Sequence, residues 1–276
     1  MNWRSYLFHF YLDASIHVAL SVFAFIEITC VFFGLPRDNH ISYLVFFGTI
    51  ACYNFVKYGV EAKKYFLVAN TYHKNIQVVS FIAGAFALYH SFFISFEVWI
   101  GIAVLSVLTS LYAVPLLPSA KNLRSLGGLK IFIVALVWAG TTVVLPIVAA
   151  DTALDWDVAV EFLQRFLMVL ILMLPFEIRD LDYDDPELRT LPQRYGYLNT
   201  KILGAVGVVV FFFLTFMKDY LTYLEVLSKG LVFLILGMLM LVTRRNQSQF
   251  FSSFWVEAIP IFWWACILVL DTFLSL

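Results

Sequence analysis

Nine apolar runs, each long enough to cross a hydrocarbon layer and each ended by a polar, Pro or Gly break, limit what this chain can fold into. They lie at 7–34, 41–61, 76–95, 98–117, 129–150, 158–176, 200–217, 226–243 and 254–274. A spanning helix takes about 20 apolar residues, so nine use roughly 180 of the 276 available. The remainder suits short connections. Breaks such as Gly34-Leu35-Pro36, Pro115 to Pro118, Gly127-Gly128 and Pro186 supply residues that cannot continue a helix. The pattern predicts an all-α integral membrane protein, a nine-helix bundle forming a single multi-pass domain over 1–276, with no repeat and no low-complexity linker.

Composition supports a lipid-facing exterior. With 62% hydrophobic and 13% charged residues, against about 25% charged in a soluble domain, apolar side chains must occupy the surface as well as the interior. A net charge of -1 excludes the concentrated basic surface that nucleic-acid binding needs. Cys30, Cys52 and Cys266 sit in apolar runs without a CxxC pair, which predicts buried thiols rather than disulfides or zinc. The first run carries Asp13 and His17 and no small-residue cleavage site follows it, so this helix is expected to stay in the protein.

The basic residues give a topology. Lys and Arg concentrate in cytoplasmic loops. With nine spans, one face receives Arg4, Lys57, Lys63, Lys64, Lys74, Lys121, Arg124, Lys130, Arg179, Arg189, Arg194, Lys201, Arg244 and Arg245, which is 14 of the 18 basic residues. Arg37, Lys218 and Lys229 fall to the other face, and Arg165 lies within a span. The N-terminus is therefore predicted cytoplasmic, in the cell (inner) membrane for a bacterial chain. Loops near 54–75 and 177–199 then share the cytoplasmic side, so chemistry drawn from both can converge.

The sixth span runs into an acidic stretch: Glu177, Asp180, Asp182, Asp184, Asp185 and Glu187 fall within eleven residues. If the helix continues past Pro175, Asp180 and Asp184 share a face with Glu177 one turn earlier. Two readings fit this spacing. One is a solvated acidic loop. The other is a site for a magnesium-bridged diphosphate, in which a hard cation takes a few carboxylate oxygens plus phosphate while Arg179 and Arg189 neutralise the rest.

Glu177 to Gly196 resembles the second aspartate-rich motif of the UbiA-type membrane prenyltransferases. That motif has an Ile-Arg-Asp start within a DxxxD, then a basic residue, Thr-Leu-Pro and Arg-x-Gly; this chain has Ile178-Arg179-Asp180, Asp184, Arg189-Thr190-Leu191-Pro192 and Arg194-Tyr195-Gly196. Glu177 stands where the family commonly has Asn or Asp. The family's first motif, NxxxDxxxD, is kept only at Asn54: its acids are replaced by Tyr58 and Ala62, with Glu61 on the same helical face and Lys57 beside it.

The resemblance implies Mg2+ and an intramembrane transfer of an isoprenoid chain from a prenyl diphosphate to an aromatic or lipophilic acceptor. It assigns Asp180 and Asp184 to catalysis and metal binding, with Asn54, Glu61 and Glu177 as further metal ligands. Lys57, Arg179, Arg189, Lys121, Arg124 and Tyr112 would hold the diphosphate; Tyr112 and Lys121 stand for a family Tyr and Lys after the fourth helix, at a longer spacing. The replaced first-motif acids keep a second reading open, a catalytically reduced membrane scaffold. A transporter is the rival class, using an intramembrane polar path.

Other polar residues complete the reading. At 3.6 residues per turn, Asp13, His17 and Glu27 fall at about 0°, 40° and -40° and form one stripe on a continuous first helix. Such a stripe serves acceptor binding, proton removal or a satisfied interhelical network. Glu161 and Arg165 are four apart and are expected to pair. His90 and Trp138 read as packing, and Phe211-Phe212-Phe213 as lipid or helix contacts.

Overall fold

A computed structural model describes residues 3–36, 39–61, 70–113, 129–184 and 188–274, with the side chains of 59–61 and 112–113 outside the description. The described residues form helices throughout: α1 (Trp3–Asp13), α2 (Ile16–Phe32), α3 (Asn39–Asn54), α4 (Thr71–Ser91), α5 (Phe96–Ala113), α6 (Leu129–Ala139), α7 (Leu145–Ala149), α8 (Trp156–Asp180), α9 (Leu191–Leu214), α10 (Tyr223–Val242) and α11 (Ile259–Leu274). Three π-helical segments are built into them: Phe55–Glu61 extends α3, Gly140–Val144 joins α6 to α7, and Phe251–Val256 precedes α11.

Five of these helical stretches are long and apolar enough to cross a membrane: Leu129–Ala149, Trp156–Asp180, Leu191–Met217, Tyr223–Val242 and Phe251–Leu274. A sixth is the pair α1 and α2, bent by 56° at its break. The chain is an integral multi-pass membrane protein. The runs expected at 41–61, 76–95 and 98–117 are helical as α3, α4 and α5 but fall short of that length or hydropathy among the described residues. Nine spans are thus met at six by this measure.

The first expected span is corrected. Residues 7–34 are not one helix: Ser15 adopts a left-handed backbone with φ 58°, and the chain turns between α1 and α2. Beyond the turn, α2 is the centre of the bundle. Its residues Phe25 and Ile28 pack with α6, α8, α9, α10 and α11 around Met168, Phe211, Leu236 and Trp263. Its opposite face, Val22, Ile26 and Cys30, packs with Ile41 and Val45 of α3, Val98 of α5 and Leu145 of α7. A helix apolar all round belongs in such a position.

Between lipid-exposed helices, close packing and hydrogen bonds replace the hydrophobic driving force, and this chain uses both. At Gly204 in α9 a Cβ would come within 2.4 Å of Met240 Sδ and 2.7 Å of Leu174, so the missing side chain lets α9 approach α8 and α10. The polar staple is ionic. Glu161 pairs with Arg165 at 3.1 Å, Lys218 at 2.9 Å and Lys229 at 2.8 Å. Glu225 takes Lys218 at 2.5 Å and Lys229 at 2.6 Å. Arg165 also donates to Phe25 O and to the hydroxyls of Thr142 and Thr29, and Gln164 links Lys229 to Phe211 O and Thr215. The Glu161–Arg165 pair is present as expected, inside a larger set. Lys218 and Lys229, read from the sequence as charges of the other face, are buried in the bundle instead, together with Glu225. For Lys218, which lies between two spans, burial alone would depress the ammonium, but Glu161 and Glu225 outweigh it and raise its pKa.

Candidate functional site

The break between α1 and α2 organises one arm of the site. Ser15 Oγ donates to Asn54 Oδ1 at 2.8 Å, and Asn54 Nδ2 donates to Ala14 O at 3.0 Å and Ser80 Oγ at 2.9 Å. One buried amide therefore ties the break to α3 and α4 and keeps one Oδ1 lone pair in reserve. The turn presents Asp13 to three side chains. Lys57 Nζ lies 3.4 Å from Asp13 Oδ1, Tyr72 donates to Oδ2 at 2.7 Å, and Tyr58 donates to the Asp13 carbonyl at 3.0 Å. Burial and the Asp13 carboxylate together raise the Tyr72 phenol. The π-helical turns from Phe55 to Glu61 carry Lys57 and Tyr58; an extra residue per turn re-aims side chains, and such bulges recur at functional sites.

The stripe of Asp13, His17 and Glu27 does not exist as a continuous face, because the break separates its first member. Asp13 belongs to the Lys57 and Tyr72 cluster. His17 contacts Tyr11 at 2.8 Å and Phe254 O at 2.9 Å, and Glu27 accepts from Ser42 at 2.8 Å.

The second arm is the end of α8. The helix does continue past Pro175, to Asp180, and Asp184 N donates to Asp180 O at 2.8 Å, which prolongs the turn. Arg179 holds Asp180 with two parallel bonds, Nε to Oδ1 at 2.7 Å and Nη2 to Oδ2 at 2.9 Å. Glu177 is buried 3.1 Å from Lys130, and both Asp180 and Asp184 act on it electrostatically. Gln193 bridges the following loop, accepting from Thr190 N at 2.9 Å and donating to Asp184 O at 3.3 Å. Arg189 is exposed with φ 44°. Arg245 clamps Asp182 through Nε at 2.8 Å and a second contact from Nη2, and this bond lowers the Asp182 carboxyl pKa. Gln247 Nε2 donates to Pro175 O at 2.6 Å.

Glu257 lies in the turn that leads into α11, and its carbonyl accepts from Ser21 of α2. The residue is half-buried. Lys57 also stands on an apolar cavity of about 480 Å³ that runs beside α3 past Tyr53, Thr109 and Trp138 towards Val22 and Leu145. Trp138 donates to the Tyr53 hydroxyl at 2.8 Å, so it is a cavity wall. Cys52 lines the same cavity and is exposed to it rather than buried; Cys30 is buried.

Of the residues singled out from the sequence, Asn54 and Lys57 lie on the first arm, and Asp180, Asp184, Arg179, Glu177 and Arg189 lie on the second. The side chains of Glu61 and Tyr112 and the whole of Lys121 and Arg124 lie outside the described residues. Glu257, Lys130, Tyr72 and Arg245 were not singled out as site residues. For Glu257 the signal was present, since an acid inside an apolar run is itself a mark of function.

The donor set suits one kind of metal. No group of three or more His, Cys, Asp or Glu side chains among the described residues is gathered closely enough to hold an ion. The α8 end offers only oxygen ligands, on two or three carboxylates. That fits Mg2+, which is commonly held by one or two carboxylates together with substrate phosphate, and does not fit a soft or all-protein site.

In sequence, no family model and no curated protein matches this chain. In structure, matches are extensive. An apo UbiA homolog from Aeropyrum pernix K1 superposes with a TM-score of 0.69 at 13% identity, covering 92% of this chain and 98% of that one. The fold is that of the UbiA homologs. A UbiA homolog from Archaeoglobus fulgidus bound to DMAPP and Mg2+ gives 0.61 at 9% identity, covering 94% of this chain and 98% of its own. A digeranylgeranylglyceryl phosphate synthase gives 0.57 at 14% identity with 96% of both chains covered. Coverage of this extent makes the UbiA-like fold the architecture of nearly the whole chain.

Proposed function

We propose that the protein is an intramembrane prenyltransferase of the UbiA kind, moving an isoprenoid chain from a prenyl diphosphate to an aromatic or lipophilic acceptor. One observation carries the reading: Lys57 stands on the apolar cavity, and the α8 end sets the Arg179–Asp180 fork beside Asp184 one turn on. A ligand with an anionic head and an apolar tail is complementary to that arrangement. The site loops and the N-terminus are assigned to the cytoplasmic face by the sorting of basic residues.

In this reading Asp180 and Asp184 bind Mg2+, with Glu177, Asn54 and Glu61 as further oxygen donors. When bound, the ion neutralises charge developing on the departing diphosphate. The chain's own residues do the rest. Lys57, Arg179 and Arg189, with Lys121, Arg124 and Tyr112, hold the diphosphate oxygens and stabilise the leaving group. The cavity beside α3 holds the allylic chain and excludes water, which would otherwise capture the cation. Asp13, itself held by the Tyr72 hydroxyl, pairs with the Lys57 ammonium.

The scaffold reading has one observation in its favour: Tyr58, at a first-motif acid position, gives its hydroxyl to the Asp13 carbonyl. Purified protein incubated with geranyl diphosphate, with and without Mg2+, separates the two. Transfer or diphosphate release that needs the metal and is lost in Asp180→Ala and Asp184→Ala supports the enzyme. Binding of geranyl diphosphate without turnover supports the scaffold.

A further inference from the structure

The cavity beside α3 has a length that the helix itself measures. Its α3 wall runs from Lys57 to Leu44, and at 1.5 Å per residue that stretch covers about 20 Å. The far end is backed by packed core: Val22, Val45 and Leu145 line it and are buried in one cluster. Three bonds carry an extended backbone about 3.5 Å, so the four bonds of an isoprene unit carry a chain about 4.7 Å, and about 20 Å takes four units. Volume gives the same count. An apolar cavity of about 150 Å³ takes a six-carbon ring. In proportion, about 480 Å³ takes about 19 carbons, close to four five-carbon units.

Glycines make this room. Gly48 lines the cavity from α3, and a Cβ built there would meet nothing within 4 Å, so its missing side chain faces ligand space. Gly48 stands about 13 Å along the helix from Lys57, beside the third unit of a chain whose first carbon lies at the Lys57 end. Two further glycines act from behind the wall. A Cβ at Gly101 of α5 would come within 2.7 Å of Leu145 Cδ2, and one at Gly140 within 2.7 Å of Leu105 Cδ2. Both leucines line the cavity, so these glycines let them stand back from it. Thr49 and Thr109, also on the wall, donate their hydroxyl protons to Val45 O at 2.7 Å and Leu105 O at 2.8 Å of their own helices, which leaves a surface suited to hydrocarbon.

We propose that the cavity holds a prenyl chain of four isoprene units, a geranylgeranyl group, and that Gly48 sets this length. Gly101 and Gly140 are positioning residues that act through Leu145 and Leu105. The proposal rests on the transferase reading above, in which the diphosphate lies at the Lys57 end. A leucine at position 48 would occupy the space of the third unit and leave room for two.

The test uses the full chain in lipid nanodiscs with Mg2+ and prenyl thiolodiphosphates of two to five units. The probes compete at equal mole fraction, so that the partition of each chain into lipid, which is as apolar as the cavity, cancels. The four-unit probe is expected to bind about tenfold more tightly than the two-unit and five-unit probes, because a short chain forfeits contacts and a long one overpacks the site. Gly48→Leu is expected to reverse the order of the two-unit and four-unit probes. Gly101→Ala and Gly140→Ala shift the order in the same direction by less, and these small changes outside the cavity keep the test open where Gly48→Leu fails to fold. A five-unit probe bound as tightly as the four-unit one, or a loss in Gly48→Leu that is equal for short and long probes, overturns the proposal. The same series as prenyl alcohols separates the two readings. A four-unit, Gly48-dependent optimum among alcohols, in a chain indifferent to diphosphate, supports the length site and refutes the transferase reading instead.

Discussion

Lys229 Nζ of α10 lies 2.8 Å from Glu161 Oε2 of α8, with both side chains withdrawn from solvent and lipid. Around them the buried set counts three cations, Arg165, Lys218 and Lys229, against two carboxylates, Glu161 and Glu225. The excess makes removal of either sign unequal. Glu161→Gln would leave three cations facing one carboxylate and is expected to cost about 3–5 kcal/mol, the range for breaking a buried pair. Lys229→Met balances the charges and leaves mainly Gln164 short of a partner, a loss of about 1–3 kcal/mol. Reversible unfolding in mixed micelles measures both, and the reverse order of the two variants would contradict this account.

Asn54 joins the helix break to α3 and α4 through Ser15, Ala14 and Ser80. Asn54→Ala strands buried polar groups on both sides of the turn, with an expected loss of about 1–3 kcal/mol. The sharper outcome is positional: with the break loosened, Asp13 no longer fixes Lys57. Prenyl diphosphate affinity should fall in Asn54→Ala even at temperatures where the variant is fully folded. Unchanged affinity in the folded variant would separate the amide from the site.

Lys57 and Asp13 form a pair whose side chains are 46% and 40% exposed, and pairs of that kind contribute little to stability. Lys57→Met is therefore expected to shift the unfolding midpoint hardly at all. Its effect should appear in binding, as a loss of about tenfold in affinity for Mg2+-geranyl diphosphate, the size of one charge-assisted hydrogen bond. A stability loss with intact binding would reverse the assignment.

The Asp182–Arg245 clamp gives a pH prediction. Its bond to Arg245 holds the Asp182 carboxyl below the ordinary value of 3.8. A lowered carboxylate stabilises the docked loop fully above its unfolded pKa, and that contribution is lost as pH falls through the folded one. Amide exchange in the loop after α8 should accordingly be flat from neutral pH down to about 4 and rise below it. In Asp182→Asn it should be faster at neutral pH and lack the acid step. Intrinsic exchange rates are corrected by the same loop peptide free in solution.

The sequence made the second arm legible because its chemistry is local: Ile178 to Gly196 places acids, arginines and helix starts within one continuous stretch. The ladder of apolar runs likewise located the helices, closely at Leu129–Ala149, but it missed the break in the first run and the start of α9 at Leu191. What could not be read was assembled by tertiary contact. Lys218 and Lys229 lie near span ends, where basic residues normally reach water, and only packing against Glu161 and Glu225 draws them inside. The break at Ser15 has no Gly or Pro to announce it; it is held by an asparagine 39 residues away. Asp13, His17 and Glu27 share an angular position only on a straight helix, so the turn dissolved a stripe that periodicity had drawn.

The π-helical turns carry a consequence for redesign. Phe254 O and Thr142 O, both within such turns, receive side chains from α2: His17 at 2.9 Å and Thr29 at 2.7 Å. Each bulge amounts to one residue more than a regular helix requires. Deleting a single residue from Gly140–Val144 or Phe251–Val256 would return that helix to regular register and close the widened turn whose carbonyl accepts from α2. Idealising this backbone, the usual road to a hardier protein, would thus remove the surplus residues that let α2 be gripped from both sides.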